Sequence, residues 1–189
     1  MGREFELKFK ATAKALAEIR ALWQDWEEIS METTYFDTPE GQLSAKNCTL
    51  RRRMENGISV CTMKTPIAGF GRGEWNEQAP WCAETVAELF DQAGQSPIPF
   101  ENLTVVCGAR FTRLAKTVEL PGCIVEIALD TGILIGGGRE IPLCELEVEY
   151  KGGSEAVVSA WAERLAQRFG LEAETKSKFR RASLLAKGE

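Results

Sequence analysis

The sequence predicts an α+β fold, an antiparallel β-sheet able to close into a barrel, with helices packed outside it. Three observations predict it. Charged and apolar residues alternate in short runs, from Glu4-Phe5-Glu6-Leu7-Lys8 at the start to Glu145-Leu146-Glu147-Val148-Glu149 near the end. On a strand, such alternation puts all the charges on one face. Asn56-Gly57, set between two strand-like runs, is the signature of a tight antiparallel hairpin. Four further stretches carry apolar residues at intervals of three and four, as a helix packed on one side requires.

In order along the chain, Glu4 to Lys8 forms the first strand, with Glu4, Glu6 and Lys8 on one face and Phe5 and Leu7 on the other. Thr12 is placed to cap a helix whose apolar positions are Leu16, Ile19, Leu22, Trp23 and Trp26. Thr33 to Phe36 reads as a strand leading into the turn residues Asp37-Thr38-Pro39-Glu40-Gly41. Arg51 to Arg53 and Val60 to Lys64 are the two arms of the hairpin, so Arg51 and Arg53 share a face, as do Thr62 and Lys64. After a glycine-containing connection from Pro66 to Gly73, Arg72, Glu74 and Asn76 alternate with Gly73 and Trp75. Ala83 to Ala93 is a helix ended by Gly94. Val105–Arg113, Ala115–Leu120, Cys123–Asp130 and Arg139–Tyr150 are four further strands, and Ser154 opens a helix that Gly170 closes. The tail from Thr175 reads as a last helix with a basic face. No repeat, low-complexity segment or linker divides the chain, so a single domain over residues 1–189 is expected.

Composition narrows the chemistry. The 189 residues contain no histidine, which excludes Ser-His and Cys-His catalysis, imidazole bases and histidine-ligated metals together. The six cysteines are scattered without a Cys-x-x-Cys pair, so they read as buried free thiols. Any metal must then be held by carboxylates, which suits magnesium, manganese or calcium. The net charge of −5 does not favour nucleic acid or an anionic membrane as partner. Neither a membrane span nor a secretory leader is readable, so a cytoplasmic protein is expected.

The strand charges fall into two sets. Acids stand at Glu4, Glu6, Glu74, Glu126, Asp130, Glu145, Glu147 and Glu149; bases stand at Lys8, Arg51, Arg53, Lys64, Arg72, Arg113 and Lys178. If the strands close into a barrel, both sets point inward and the alternate apolar residues pack against helices outside. A lumen lined in this way suits a compact polyanion with divalent cations, since carboxylates hold the metals and Arg and Lys neutralise phosphate oxygens.

On these residues the chain resembles the CYTH superfamily of triphosphate tunnel metalloenzymes. The resemblance runs from residue 4 to about residue 181. It rests on Glu4-Phe5-Glu6-Leu7-Lys8, Tyr35-Phe36-Asp37-Thr38-Pro39, Leu50-Arg51-Arg52-Arg53, Thr62-Met63-Lys64, Arg113, Glu126 to Asp130, Glu145 to Glu149 and Ser177-Lys178. It implies an eight-stranded antiparallel barrel forming a tunnel, and metal-dependent reactions of triphosphates with Mg2+ or Mn2+. By the same resemblance, Glu4, Glu6, Asp130, Glu145 and Glu147 are the expected metal ligands. Lys8, Arg51, Arg53, Lys64, Arg72, Arg113 and Lys178 are the expected triphosphate clamp, and Glu74 is a tunnel acid that positions neighbouring bases. Glu126 and Glu149 keep an inward facing only if no strand bulge reverses them. The sequence departs from the family at Ala45-Lys46-Asn47-Cys48-Thr49, where members often carry glycine and a larger apolar residue.

Hydrolysis of inorganic tripolyphosphate is the leading expectation, with Glu4, Glu6, Lys8, Glu74, Asp130, Glu145 and Glu147 as its catalytic set. Thiamine triphosphatase, nucleoside or RNA triphosphatase and adenylate cyclase activities stand as alternatives on the same fold, and a non-catalytic polyphosphate-binding module as one of another class. The expected partner is a small-molecule triphosphate.

Overall fold

The computed structural model describes residues 2–3, 5–66 and 72–189, the first two by backbone alone. The chain forms one antiparallel sheet in the order β1-β6-β5-β4-β3-β7-β8-β9-β2-β10. Eight strands are substantial: β2 (Glu6–Lys10), β3 (Glu27–Asp37), β4 (Thr49–Glu55), β5 (Ile58–Pro66), β6 (Arg72–Glu77), β7 (Thr104–Leu120), β8 (Cys123–Gly136) and β9 (Arg139–Gly153). The other two, β1 (Gly2–Arg3) and β10 (Glu172–Ala173), are two residues each. β1 pairs with β6, whereas β2, which follows almost at once, pairs with β9 at the other end of the order. One N-terminal stretch therefore serves both ends of the sheet, and the sheet curls into a barrel-like tunnel.

Asn56 and Gly57 both take positive φ and turn the β4–β5 hairpin, which registers Arg51 with Thr62 and Thr49 with Lys64. β7 is one continuous strand, not the two expected on either side of Leu114. No glycine or proline interrupts residues 109–120, and the register with β8 runs unbroken from Cys107–Gly136 to Leu120–Cys123.

The apolar faces of the strands bury against helices. α1 (Ala13–Arg20) and α4 (Glu155–Phe169) cover β2, β8 and β9 over a core that includes Ile19, Val125, Ile127, Leu146, Val148 and Val158. α3 (Ala83–Gln92) packs Val86, Leu89 and Phe90 on Leu50, Cys61 and Met63. Thr12 and Ser154 cap α1 and α4 as their sequence positions imply, each side chain accepting a backbone N–H. α1 ends earlier than its apolar spacing suggests. Trp26 lies beyond it, and its indole Nε1 donates to the carbonyl of Arg20, which also accepts the Trp23 N–H, and to the carbonyl of Trp23. A four-residue helix α2 (Gln42–Ala45) and a final helix α5 (Lys178–Lys187), which packs on β7 and β8, complete the fold. Among the described residues no helix is long and apolar enough to cross a membrane.

Candidate active site

The lumen faces of β2, β4, β5, β6, β7 and β9, together with the entry to α5, enclose a cavity of about 530 Å³. Strand register explains its lining. Lys8 stands opposite Glu147, Glu6 opposite Glu149, Lys64 opposite Glu74 and Arg113 opposite Asp130, so the alternating charges of different strands meet on one face. Of the expected residues, Glu6, Lys8, Arg51, Arg53, Lys64, Arg72, Glu74, Arg113, Glu147, Glu149 and Lys178 all line the cavity. Asp130 and Glu145 are fully buried just behind it. Glu4 lies outside the described residues.

Ion pairs hold these side chains in place. Glu74 receives Lys64 Nζ at 3.2 Å and Arg51 Nη2 at 3.6 Å. Burial alone would raise its pKa, but these two cations outweigh burial and hold the carboxyl below its ordinary value. Lys8 donates to Glu6 Oε1 at 2.6 Å, and this attraction overcomes burial to lift the ammonium above its usual pKa. Arg53 donates from Nε to Thr33 Oγ1 at 3.2 Å; burial and the adjacent Arg51 bring its pKa down to about 10. Arg72 Nη2 donates to the carbonyl of Asn47 at 2.8 Å. Asn47 belongs to the segment Ala45 to Thr49, which so anchors this cavity-lining arginine through its backbone.

The deepest cluster joins Asp130, Glu145 and Glu147, whose nearest oxygens lie within 4.8 Å of one another. Lys178 Nζ stands among them, 2.7 Å from Asp130 Oδ2 and from Glu147 Oε1, and also bonded to Glu145 Oε1. Arg113 grips both oxygens of Asp130 and reaches Glu147 Oε2, while Arg181 holds Glu145 Oε2. Burial pushes the Glu147 carboxyl up, yet Lys178 and Arg113 dominate and hold it well below the usual range. Glu145 goes the other way, because burial and the neighbouring Glu147 outweigh Lys178 and Arg181. The Lys178 ammonium is raised, the three carboxylates more than offsetting its burial.

The single β8–β9 register shift falls at Ile124/Val125, beyond the Glu126–Glu149 pair. Glu126 and Glu149 therefore keep the facing of Glu6, and Lys151, the extra residue at the shift, bonds Glu149 at 2.9 Å and Glu126 at 3.7 Å. Sequence reasoning passed over Thr175, Lys176, Phe179 and Arg180, which also line the cavity, and Arg181. Lys176 and Arg180 read as part of a solvated basic face, and only the Ser177 cap hints that the chain turns inward before α5. Tyr35 lines the cavity with its ring against Phe179, centroids 5.1 Å apart. Trp81 is stacked on Phe36 at 3.9 Å in the packed cluster beneath α3, and Trp75 packs against that same cluster.

The fold and this lining define a tunnel-type barrel with a charged lumen. Comparison with known proteins makes the class specific: a CYTH domain family model matches residues 2–183, and the chain belongs to that family. An inorganic triphosphatase of Haemophilus influenzae is 27% identical over 168 residues, 84% of this chain and 47% of that protein, so the chain spans about half the length of this curated relative. Among solved structures, a Hippeastrum protein described as an adenylyl cyclase candidate with a dominant triphosphatase activity has a TM-score of 0.71 at 18% identity, covering 98% of this chain and 96% of its own. A Pyrococcus horikoshii protein has a TM-score of 0.66 at 22% identity, covering 98% and 99%. These structural likenesses establish the barrel.

Proposed function

We propose that the chain is a divalent-metal-dependent inorganic triphosphatase, hydrolysing tripolyphosphate to pyrophosphate and phosphate inside the barrel. The observation that carries this reading is the balance of charge around one cavity. Nine bases line it, Lys8, Arg51, Arg53, Lys64, Arg72, Arg113, Lys176, Lys178 and Arg180, against the four acids Glu6, Glu74, Glu147 and Glu149. Asp130 and Glu145, just behind the wall, pair with Arg113 and Lys178, and even with these two acids included the bases outnumber the acids; in a protein of net charge −5, such a local excess of cations favours an anionic occupant. The bases approach from β2, β4, β5, β6, β7 and α5, so they surround an extended chain of phosphates from several sides. The inorganic triphosphatase of Haemophilus influenzae, as a relative, supports the choice.

The acidic residues fit Mg2+ or Mn2+. They offer only carboxylate oxygens, which hard cations prefer, and the Lys178 ammonium stands in for positive charge where Asp130, Glu145 and Glu147 converge. Asp130, Glu145 and Glu147, which converge, would hold the ion, and Glu6, paired with Lys8 outside that trio, and Glu4 of the same opening motif are the further carboxylates proposed for it. When bound, it supplies Lewis-acid stabilisation of phosphoryl charge and lowers the pKa of an attacking water.

The protein's own contribution is positioning and charge neutralisation, which phosphoryl transfer needs more than covalent chemistry. Glu74, held ionised, keeps Lys64 and Arg51 at fixed positions on neighbouring strands. Glu6 does the same for Lys8. Arg113, locked to Asp130, presents a guanidinium whose direction cannot drift. A nucleoside or thiazolium gains little here. Thr49 offers no ring at the start of the arginine strand, the Tyr35 and Phe179 rings pack on one another, and Trp75 and Trp81 belong to the packed cluster beneath α3.

The test is phosphate release from tripolyphosphate, ATP and thiamine triphosphate with Mg2+ and with Mn2+. The expected result is the highest kcat/KM for tripolyphosphate. An equal or higher value for ATP or thiamine triphosphate promotes that alternative, and binding without turnover under either metal promotes the binding module.

A further inference from the structure

The acidic trio is already neutralised from within the chain. All six of its carboxylate oxygens accept hydrogen bonds or ion pairs from Lys178, Arg113 and Arg181: Asp130 Oδ1 and Oδ2 from Arg113, Glu147 Oε2 from Arg113, Glu145 Oε2 from Arg181, and Asp130 Oδ2, Glu145 Oε1 and Glu147 Oε1 from Lys178. Three negative charges thus face three positive ones. The partners differ in kind. Arg113 is forked on Asp130 from a central strand, and Arg181 takes the outer oxygen of Glu145. Lys178 alone sits where the inner oxygens converge, the position a small cation would need.

Lys178 is also the residue best able to leave. It is the first residue of α5, next to its cap Ser177, and its ammonium ends a flexible four-carbon stem, whereas each guanidinium is a rigid plane. It already lines the cavity that the phosphates would fill. An ammonium and a divalent cation cannot share three oxygens, because their repulsion in a buried site is large.

We propose that Lys178 is a displaceable counter-ion: it yields Asp130, Glu145 and Glu147 to the divalent cation and swings into the cavity, where its ammonium joins the phosphate clamp. This rests on the metal-dependent reading above and adds an order to it. The barrel keeps its trio neutral before loading, and loading the cation is what completes the clamp. Metal and triphosphate are therefore linked through one side chain, each favouring the state the other needs.

Two measurements on the whole chain test this. The first follows acetylation of Lys178 by a soluble succinimidyl ester, read by peptide mass spectrometry with and without Mg2+. A lysine released from three carboxylates into an open cavity should react about tenfold faster or more, and an unchanged or slower rate with Mg2+ bound overturns the proposal. The second is Mn2+ titration by electron paramagnetic resonance of the parent, Lys178→Met and Glu147→Gln. Removing the internal competitor should tighten Mn2+ binding about tenfold, while Glu147→Gln weakens it. If the parent binds Mn2+ and Glu147→Gln loses it, but Lys178→Met binds no more tightly, displacement is wrong and the metal reading stands. If the parent binds no Mn2+ at all, the metal reading itself fails and takes this proposal with it.

Discussion

Arg113 grips Asp130 with a two-bond fork, Nε to Oδ1 and Nη2 to Oδ2, each 2.8 Å long. The fork is possible because the two residues are direct register partners on β7 and β8. It fixes a buried carboxylate and a cavity-lining cation in one step. Arg113→Ala should destabilise the fold by about 3–5 kcal/mol, since Asp130 and Glu147 would be left buried with too little counter-charge. Arg113→Lys should recover part of that loss, because it restores charge without the planar fork. Urea unfolding of the three proteins measures both effects.

Glu6 and Glu147 come from strands that are neighbours in the sheet but lie roughly 140 positions apart in sequence. If they serve one metal site, Glu6→Gln and Glu147→Gln should each lower metal-dependent tripolyphosphate hydrolysis by about 100-fold or more, with far-ultraviolet circular dichroism unchanged. Near-normal turnover in either folded variant would remove that residue from the site.

Arg53 lies against the lumen with little exposure and stays charged at neutral pH, its pKa near 10 notwithstanding burial and Arg51. Arg53→Ala should weaken tripolyphosphate binding about tenfold, the usual loss for one charge-assisted contact. Binding to the parent should also fall as salt is raised from about 0.05 to about 0.5 M, where the screening length shrinks below the width of the cavity. Calorimetric titration reports both.

The depressed carboxyl of Glu74 sets a pH dependence. Its folded pKa lies below the unfolded value of about 4.3, so its stabilising effect is fully present above that pH and is lost as pH falls through the folded value. Lys8 and Lys178, both raised, act at the opposite limb: their contribution is complete below about pH 10.4 and disappears as pH rises through their folded values. The Tm of Glu74→Gln should trail the parent near neutrality, and the gap should close as pH is lowered from about 6 to about 3. A constant gap would mean that Glu74 acts by packing and not by charge.

The lumen was legible in the sequence because a strand has a period of two. Once Glu6, Lys8, Arg51, Arg53 and Glu147 are placed on strands, their common facing follows, and Asn56-Gly57 sets the hairpin register that aligns Thr49 with Lys64. What could not be read is the contribution of residues whose position depends on contacts distant in sequence. Phe179 and Arg180 belong to a helix whose spacing resembles any solvated basic helix, and only packing on β7 and β8 turns them to the cavity. Trp26 matches a helical stripe, yet α1 stops at Arg20 and Trp26 folds back so that its indole donates to the Arg20 and Trp23 carbonyls from outside the helix. The sequence suggests a break between strands at Leu114, where the register simply continues.

The N-terminal stretch that pairs with β6 on one side and with β9 on the other has a consequence for biosynthesis. Glu6–Lys10 cannot find their partners until Glu145–Glu149 have left the ribosome, so β2, made almost at the start, is among the last strands to be hydrogen-bonded. Until then the nascent sheet reaches no further than β8, whose outer edge has no partner strand. Glu126 and Asp130 set charges along that waiting edge, the kind of residue that discourages an unpaired strand from joining a neighbouring chain, a use separate from anything they do in the finished barrel.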